Sequence, residues 1–372
     1  SDHVNQNNKE LIAARKKDGG EQFFTRANDF GYSKHPDETL EIWNKSEILS
    51  DVVLNIRRFK PDLIINRFNH RNPGSTHGHH TSSAMLSFEA FDLVGKANEY
   101  PNSAKQYGVW LPKRLLFNTS WWFYGSKENF EKANKKNLLT VETGNYYTAL
   151  GLSNGEIAAS SRSMHKSQGF GNTGVRGKQT EYLEFLKGDF PQNKLNLFDG
   201  INTTWSRIEG GNKIGDILYS MEDNFNFTNP STMIPKLLNA YELLLKLPES
   251  HWKVVKLKEL KALIANCAGL YLEVVSNQQN IVPNGDVTFT VEAINRSNTP
   301  ITIKRISSPL VIFPASLKEY TLEFPHENKK ELVTLYLAVC EMEYFPMECI
   351  ISTYNQAKGA QKKDTLIVAD FE

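Results

Sequence analysis

The sequence is poor in cysteine. Cys267, Cys340 and Cys349 are the 3 in 372 residues, all in the last third, and no pair has C-x-x-C spacing. An odd number is a poor disulfide framework, and the spacing suits neither a thiolate zinc site nor a redox pair. Buried thiols are the preferred reading. An excess of one charge is also lacking: 43 Lys and Arg stand against 42 Asp and Glu, a formal net charge of +1. No global field is present to hold nucleic acid or an acidic membrane. No apolar run approaches the roughly 20 residues of a membrane-spanning helix. The opening Ser1-Asp2-His3-Val4-Asn5-Gln6-Asn7-Asn8 has no apolar signal core. It suits a cytosolic protein or one whose leader has been removed. There is no G-x-S-x-G elbow and no Cys near the histidines, so serine and cysteine hydrolase chemistry is unsupported.

What is present reads as an ordinary globular chain, 40% hydrophobic and 23% charged, of a length that predicts two domains. Spacing predicts a short helix over 9–17, stopped by Gly19-Gly20, and a long amphipathic helical segment over 36–59 with a slip near Asn44. Leu63-Ile64-Ile65 is a short apolar run of the buried parallel-strand type. A loop over 66–79, rich in Gly, Pro, Asn and His, leads to a helix beginning near His80. Helix, strand, loop and helix in this order predict an open α/β sheet. Ligands of such sheets lie beyond the carboxyl ends of the strands, where this loop falls. A strand is predicted over 115–122, and helices over 154–166, 178–187, 212–224, 231–247 and 252–267. After Gly269 the texture changes to short β-rich runs over 271–275, 287–294, 301–306, 320–324, 332–339, 349–354 and 365–368. About seven strands in roughly a hundred residues fit an immunoglobulin-type β-sandwich. The expected domains are therefore 1–268 and 269–372.

The strongest chemical signal is Thr76-His77-Gly78-His79-His80-Thr81, with His70 nearby. Imidazole is the commonest neutral metal ligand, and histidines at i and i+3 at the mouth of a helix can point to one place. Three in one Gly-flanked loop after a strand favour function over an exposed polar loop. His35-Pro36-Asp37-Glu38 has ligand-type residues, but Pro36 with two following acids is better read as a helix start. Ser161-Arg162-Ser163-Met164-His165 joins a helix end to the Gly-rich 169–174. Arg162 and His165 suit hydrogen bonding to a polar substrate, or equally a cationic helix C-terminus capped by Gly169. Aromatics at 121–124 and 146–147 can stack on sugars, but more often fill a core.

Four separated segments carry a resemblance. They are Asp18-Gly19-Gly20-Glu21-Gln22-Phe23-Phe24-Thr25-Arg26-Ala27, then Ile56-Arg57-Arg58-Phe59-Lys60-Pro61-Asp62-Leu63-Ile64-Ile65, then 76–84, then 156–171. In this order they resemble the PIG-L (LmbE-like) N-acetylglucosaminyl deacetylases, in particular long bacterial members, over roughly residues 9–300. The resemblance implies a Rossmann-like open sheet, Zn2+ as cofactor, and removal of an acetyl group from an N-acetylated amino sugar or glycan. It implies His80 as zinc ligand and His77 as the catalytic group, stabilising the oxyanion or acting as acid. Arg162, His165 and Asp29 are the expected substrate contacts. It also implies a place in the cell envelope, with a cytoplasmic place left open. The family's early His-Pro-Asp-Asp motif lies upstream of where this sequence starts, so the ligand roles of that motif are not carried onto His35 or Asp37. An alternative expectation is a truncated or inactive glycan-binding module of the same fold. A weaker one is a structural cell-surface protein.

Overall fold

The computed structural model describes the backbone of residues 2–171, 173–276, 286–307, 322–324, 329–338, 347–354 and 363–371, and the side chains of 9–171, 173–273 and 293–301. The chain forms two compact units, residues 1–201 and 202–372.

The first unit is mixed α/β. It opens with α1 (Asp2–Asp18), α2 (Pro36–Trp43) and α3 (Lys45–Phe59). The predicted slip is a real break: Asn44 adopts a left-handed conformation, φ 55°, between α2 and α3. Asn tolerates that region better than most residues do. Then follow β1 (Leu63–Asn66), α4 (Gly78–Leu93), α5 (Pro101–Tyr107), β2 (Arg114–Thr119), α6 (Lys127–Lys132), β3 (Leu138–Glu142), β4 (Tyr146–Tyr147), β5 (Leu152–Ser153), α7 (Asn154–Arg162) and β6 (Thr180–Gly188). The main sheet has the order β1-β2-β6-β3. β1 runs parallel to β2, as its apolar run predicts, while β6 is antiparallel to both β2 and β3. β1 is an edge strand with Ile65 half exposed, so the expected full burial does not hold.

The segment over 178–187 is a correction. It forms β6, not a helix. Tyr182, Leu183, Phe185 and Leu186 satisfy a helical stripe as well as a strand. Pairing on both edges, to β2 and β3, decides between them, and Leu183 is buried against Leu116 and Leu139. Likewise 121–124 is a short 3-10 helix after β2 rather than the end of the strand.

One face of this unit is a helical layer. Leu40, Ile48, Leu49, Val53, Leu86, Ala90 and Val94 form its core from α2, α3 and α4. Arg57 lies within it, fully buried. Its guanidinium donates to the carbonyls of Val94 (3.1 Å), Tyr100 (2.9 Å), Leu93 (3.3 Å) and Lys96 (2.7 Å), and to Ser103 Oγ (2.7 Å). Among the described residues no carboxylate forms an ion pair with it; four carbonyls and one hydroxyl solvate the charge, with the Glu99 carboxylate acting from farther off. These bonds tie α3 to the turn after α4 and to the start of α5. Arg114, 2% exposed, does the same for β2, donating to the carbonyls of Leu197 and Asp199 at 2.7 Å each.

The second unit contains α8 (Asn212–Asp223), α9 (Ile234–Leu245) and α10 (His251–Cys267), then β7 (Tyr271–Ser276), β8 (Asp286–Asn295), β9 (Ile301–Ser307), β10 (Leu322–Phe324), β11 (Lys329–Ala338), β12 (Met347–Tyr354) and β13 (Lys363–Phe371). The strands form two antiparallel sheets, β10-β9-β12-β13 and β11-β8-β7. Ile214, Leu237, Leu244, Leu260 and Ile264 share one core with Ala293 of β8 and Ile301 of β9. The helix-to-strand change at residue 268 therefore lies inside this unit, and the division into units comes earlier, after Ile201. Cys267 is a free buried thiol at the end of α10, its pKa pushed up by burial. Cys349 lies on β12, and Cys340 lies outside the described residues. Among the described residues no helix is long and apolar enough to cross a membrane.

Arg57→Leu is expected to destabilise the chain by about 3–5 kcal/mol, because several buried carbonyls lose their donor at once. Urea unfolding checks this as a lower midpoint at unchanged slope. Arg57→Lys, which keeps one donor head, should lose less.

Candidate functional site

The parallel pairing of β1 and β2 aims the loop over 67–77 beyond the carboxyl end of β1. Arg71 fastens this loop to the sheet through two bonds to Glu184 of β6, at 2.9 and 2.6 Å. The loop ends at His77, which caps α4 in extended backbone (φ −54°, ψ 146°). Its carbonyl accepts from the amides of His80 (3.0 Å) and Thr81 (3.2 Å).

The next residue fixes the geometry. Gly78 is buried, and its amide donates to the Ser33 carbonyl at 2.9 Å. A Cβ there would stand 2.3 Å from Ser33 Oγ, 2.4 Å from the His35 carbonyl oxygen and 2.6 Å from Thr39 Oγ1. Only glycine admits this approach of α4 to the start of α2. Ser33 and Thr39 are themselves joined, hydroxyl to hydroxyl, at 2.5 Å.

The three histidines then take different surroundings. The rings of His77 and His80 lie parallel, centroids 5.2 Å apart and 6° between planes. His80 also stacks on Phe68 at 3.8 Å, and Tyr32 meets His77 edge-on at 5.0 Å. Burial and the neighbouring imidazoles of His77 and His79 hold the pKa of His80 below its usual value. That favours the neutral ring, the form that ligates metals. His79 points elsewhere. It stacks on Phe30 at 4.6 Å and packs against Trp43 at 5.4 Å, with Nδ1 3.5 Å from Ser33 Oγ. Its Nε2 is buried with no partner among the described residues. His70 stacks on Phe88 at 4.1 Å, and burial, with Arg71 nearby, lowers its pKa.

The donor set can be tested against zinc. Two imidazoles stand together, and burial of one of them favours its neutral form, which fits in kind. Zinc usually takes three protein donors, and among the described residues no group of three His, Cys, Asp or Glu converges. The set falls short in number, so no step is assigned to a metal here. His35 does not complete it: this residue caps α2 with Pro36 in its first turn, followed by Asp37 and Glu38, the helix start that the sequence predicts.

The other expected contacts fall in two places. Asp29 closes a local turn, accepting from the Gly31 amide at 3.1 Å. Its neighbours Asn28 and Phe30 touch Trp43 and His79, which puts it on the histidine side. Arg162 and His165 instead line an open cleft of about 520 Å³ between α1 and α7, with Arg15, Asp18, Thr143 and Asn154 among its walls. No described hydrogen bond or ring contact links this cleft to His77 or His80. The sequence signal for its other wall was the Arg15…Asp18 spacing, i and i+3 at the end of a helix, which reads as an ordinary ion pair until α7 packs on it.

α1 and α7 are held together by polar bonds. Asp18 accepts from Ser161 Oγ (2.7 Å), from Arg15 (2.5 Å) and from the Gly20 amide (2.9 Å). Despite the opposing cost of its burial, these bonds keep the carboxyl below its usual pKa. Glu10 accepts from the amide and hydroxyl of Ser167, and these bonds lower its pKa. A capping box, Ser153 with Glu156, starts α7.

Gly78→Ala is expected to cost about 2 kcal/mol or more, since backbone as well as side chains would have to move. Gly177→Ala, where an added Cβ meets nothing within 4 Å, should be neutral. Paired thermal unfolding of the two variants checks the assignment.

Comparison with protein-family models, curated proteins and solved structures gave no match for this chain.

Proposed function

We propose that the chain is a zinc-dependent hydrolase of the PIG-L (LmbE-like) kind, removing the acetyl group from an N-acetylated amino sugar or glycoconjugate. On this reading the mixed sheet of the first unit is a Rossmann-like open sheet, and the strands after residue 269 are an immunoglobulin-like sandwich. The same resemblance suggests a place in the cell envelope.

The observation that carries the reading is the pairing of His77 with His80, parallel rings 5.2 Å apart, at the start of α4. Open α/β sheets use this position, beyond the carboxyl end of a strand, for ligands. In the proposal His80 is the metal ligand. His77, exposed beside it, would hydrogen-bond the acetyl oxygen as charge develops there. In the proposal Asp29, whose neighbour Phe30 packs on His79, takes the sugar hydroxyls.

A second reading, a glycan-binding module of the same fold, is favoured by one observation: among the described residues the histidines find no third donor. Elemental analysis of zinc-loaded protein, together with acetate release from a chitin trisaccharide, separates the two. The hydrolase reading predicts about one zinc per chain, lost in His80→Ala together with acetate release. His77→Ala should keep the zinc and slow release by about a hundredfold or more. Trisaccharide binding without zinc or acetate release would select the binding module. Absence of all three would overturn both.

A further inference from the structure

We propose that the cleft between α1 and α7 is a binding site for a small acidic sugar, taking its carboxylate or phosphate group on Arg162 and Arg15. The cleft's volume, about 520 Å³, is that of a small-molecule site. Its charge is not balanced from within. Asp18 is the one carboxylate in its wall, and it is already engaged by Arg15, Ser161 and the Gly20 amide. Nothing among the described residues answers Arg162. Its guanidinium carbon lies 4.5 Å from the centre of the Phe170 ring, a cation–π contact that uses none of its N–H donors. A second guanidinium stands in the same wall: Arg15 spends Nη2 on Asp18 and Ser161, and no hydrogen bond from its Nη1 is found among the described residues. A planar anion with two or three acceptor oxygens answers both groups.

The rest of the cleft asks for hydroxyls. Arg162 closes α7 and Asn154 opens it, and both line the cleft. Eight residue steps of helix separate them by about 12 Å. His165 stands at the cationic end, and Asn154, with an amide that both donates and accepts, at the other. A molecule with an anionic group at one end and hydroxyls at the other matches this polarity better than a neutral sugar does. The site uses neither His77 nor His80, so it stands apart from the zinc reading, although Arg162 and His165 were expected there as substrate contacts.

Calorimetric titration of the full chain with D-glucuronate, glucose 6-phosphate and glucose tests it. Both acids should bind the unaltered protein, and glucose at least about tenfold more weakly. The tighter acid tells whether carboxylate or phosphate is preferred. Arg162→Gln should weaken both acids about tenfold at unchanged melting temperature, since the side chain is exposed. Arg15→Lys, which keeps the charge and loses the fork, should weaken them too, and Arg58→Gln on α3 should not. No acid binding, equal binding of glucose, or an unaffected Arg162→Gln would each overturn the inference. Zinc uptake without acid binding would overturn it while leaving the hydrolase reading intact.

Discussion

Gly78 sets the arrangement on which the rest of the candidate site depends. Its missing side chain lets the first turn of α4 press against Ser33, His35 and Thr39 at distances no other residue allows. That contact fixes where α4 begins, and the start of α4 fixes the directions of the three histidines around it. With Gly78 between them, His77 stays outside the helix as its cap, while His79 and His80 fall on its first turn 100° apart. One turns into the Phe30–Trp43 pocket and the other toward Phe68 and His77. Three adjacent imidazoles therefore have unlike environments, and a two-ring pair results where the sequence shows only a cluster.

The frame around this point is held by buried charge as much as by apolar packing. Arg57 and Arg114 each spend a guanidinium on backbone carbonyls of segments without regular structure of their own. Such segments cannot bury a stripe as a helix does, so polar bonds are the means left to fix them. The same logic joins α1 to α7 through Asp18, Ser161, Glu10 and Ser167. The first unit thus carries two candidate sites of opposite character, an aromatic-walled histidine pair and a cationic open cleft.

Much of this was legible in the residues. The Leu63-Ile64-Ile65 run announced a parallel strand, the slip near Asn44 a break, and the Pro36-Asp37-Glu38 run a helix start. Each rests on local chemistry: an apolar run, tolerance of positive φ, a proline at a first turn. The segment over 178–187 was misread because its apolar positions fit both periods, and only its two neighbours in the sheet choose between them. The division into units after Ile201 is not legible in the sequence for a related reason. The texture changes at 268, but α8–α10 bury their stripes against Ala293 and Ile301, a long-range contact that no local pattern encodes. At the site, His77 and His80 were legible as a pair by their spacing. The aromatic partners of each ring were not, nor was the cleft, whose two walls lie about 140 residues apart in the chain.

The central claim is that His80 is the metal ligand of the proposed site, with His77 stacked beside it and with His79 and the histidine of the α1/α7 cleft outside it. Long-range 1H–15N spectra of the imidazoles, recorded as zinc is added to one equivalent, test it most directly. The account predicts a large shift of the ligating ring nitrogen of His80, a smaller one for His77 beside it, and unchanged ones for His79 and His165. Rings of His77 and His80 that ignore zinc, or a response confined to other histidines, would contradict it.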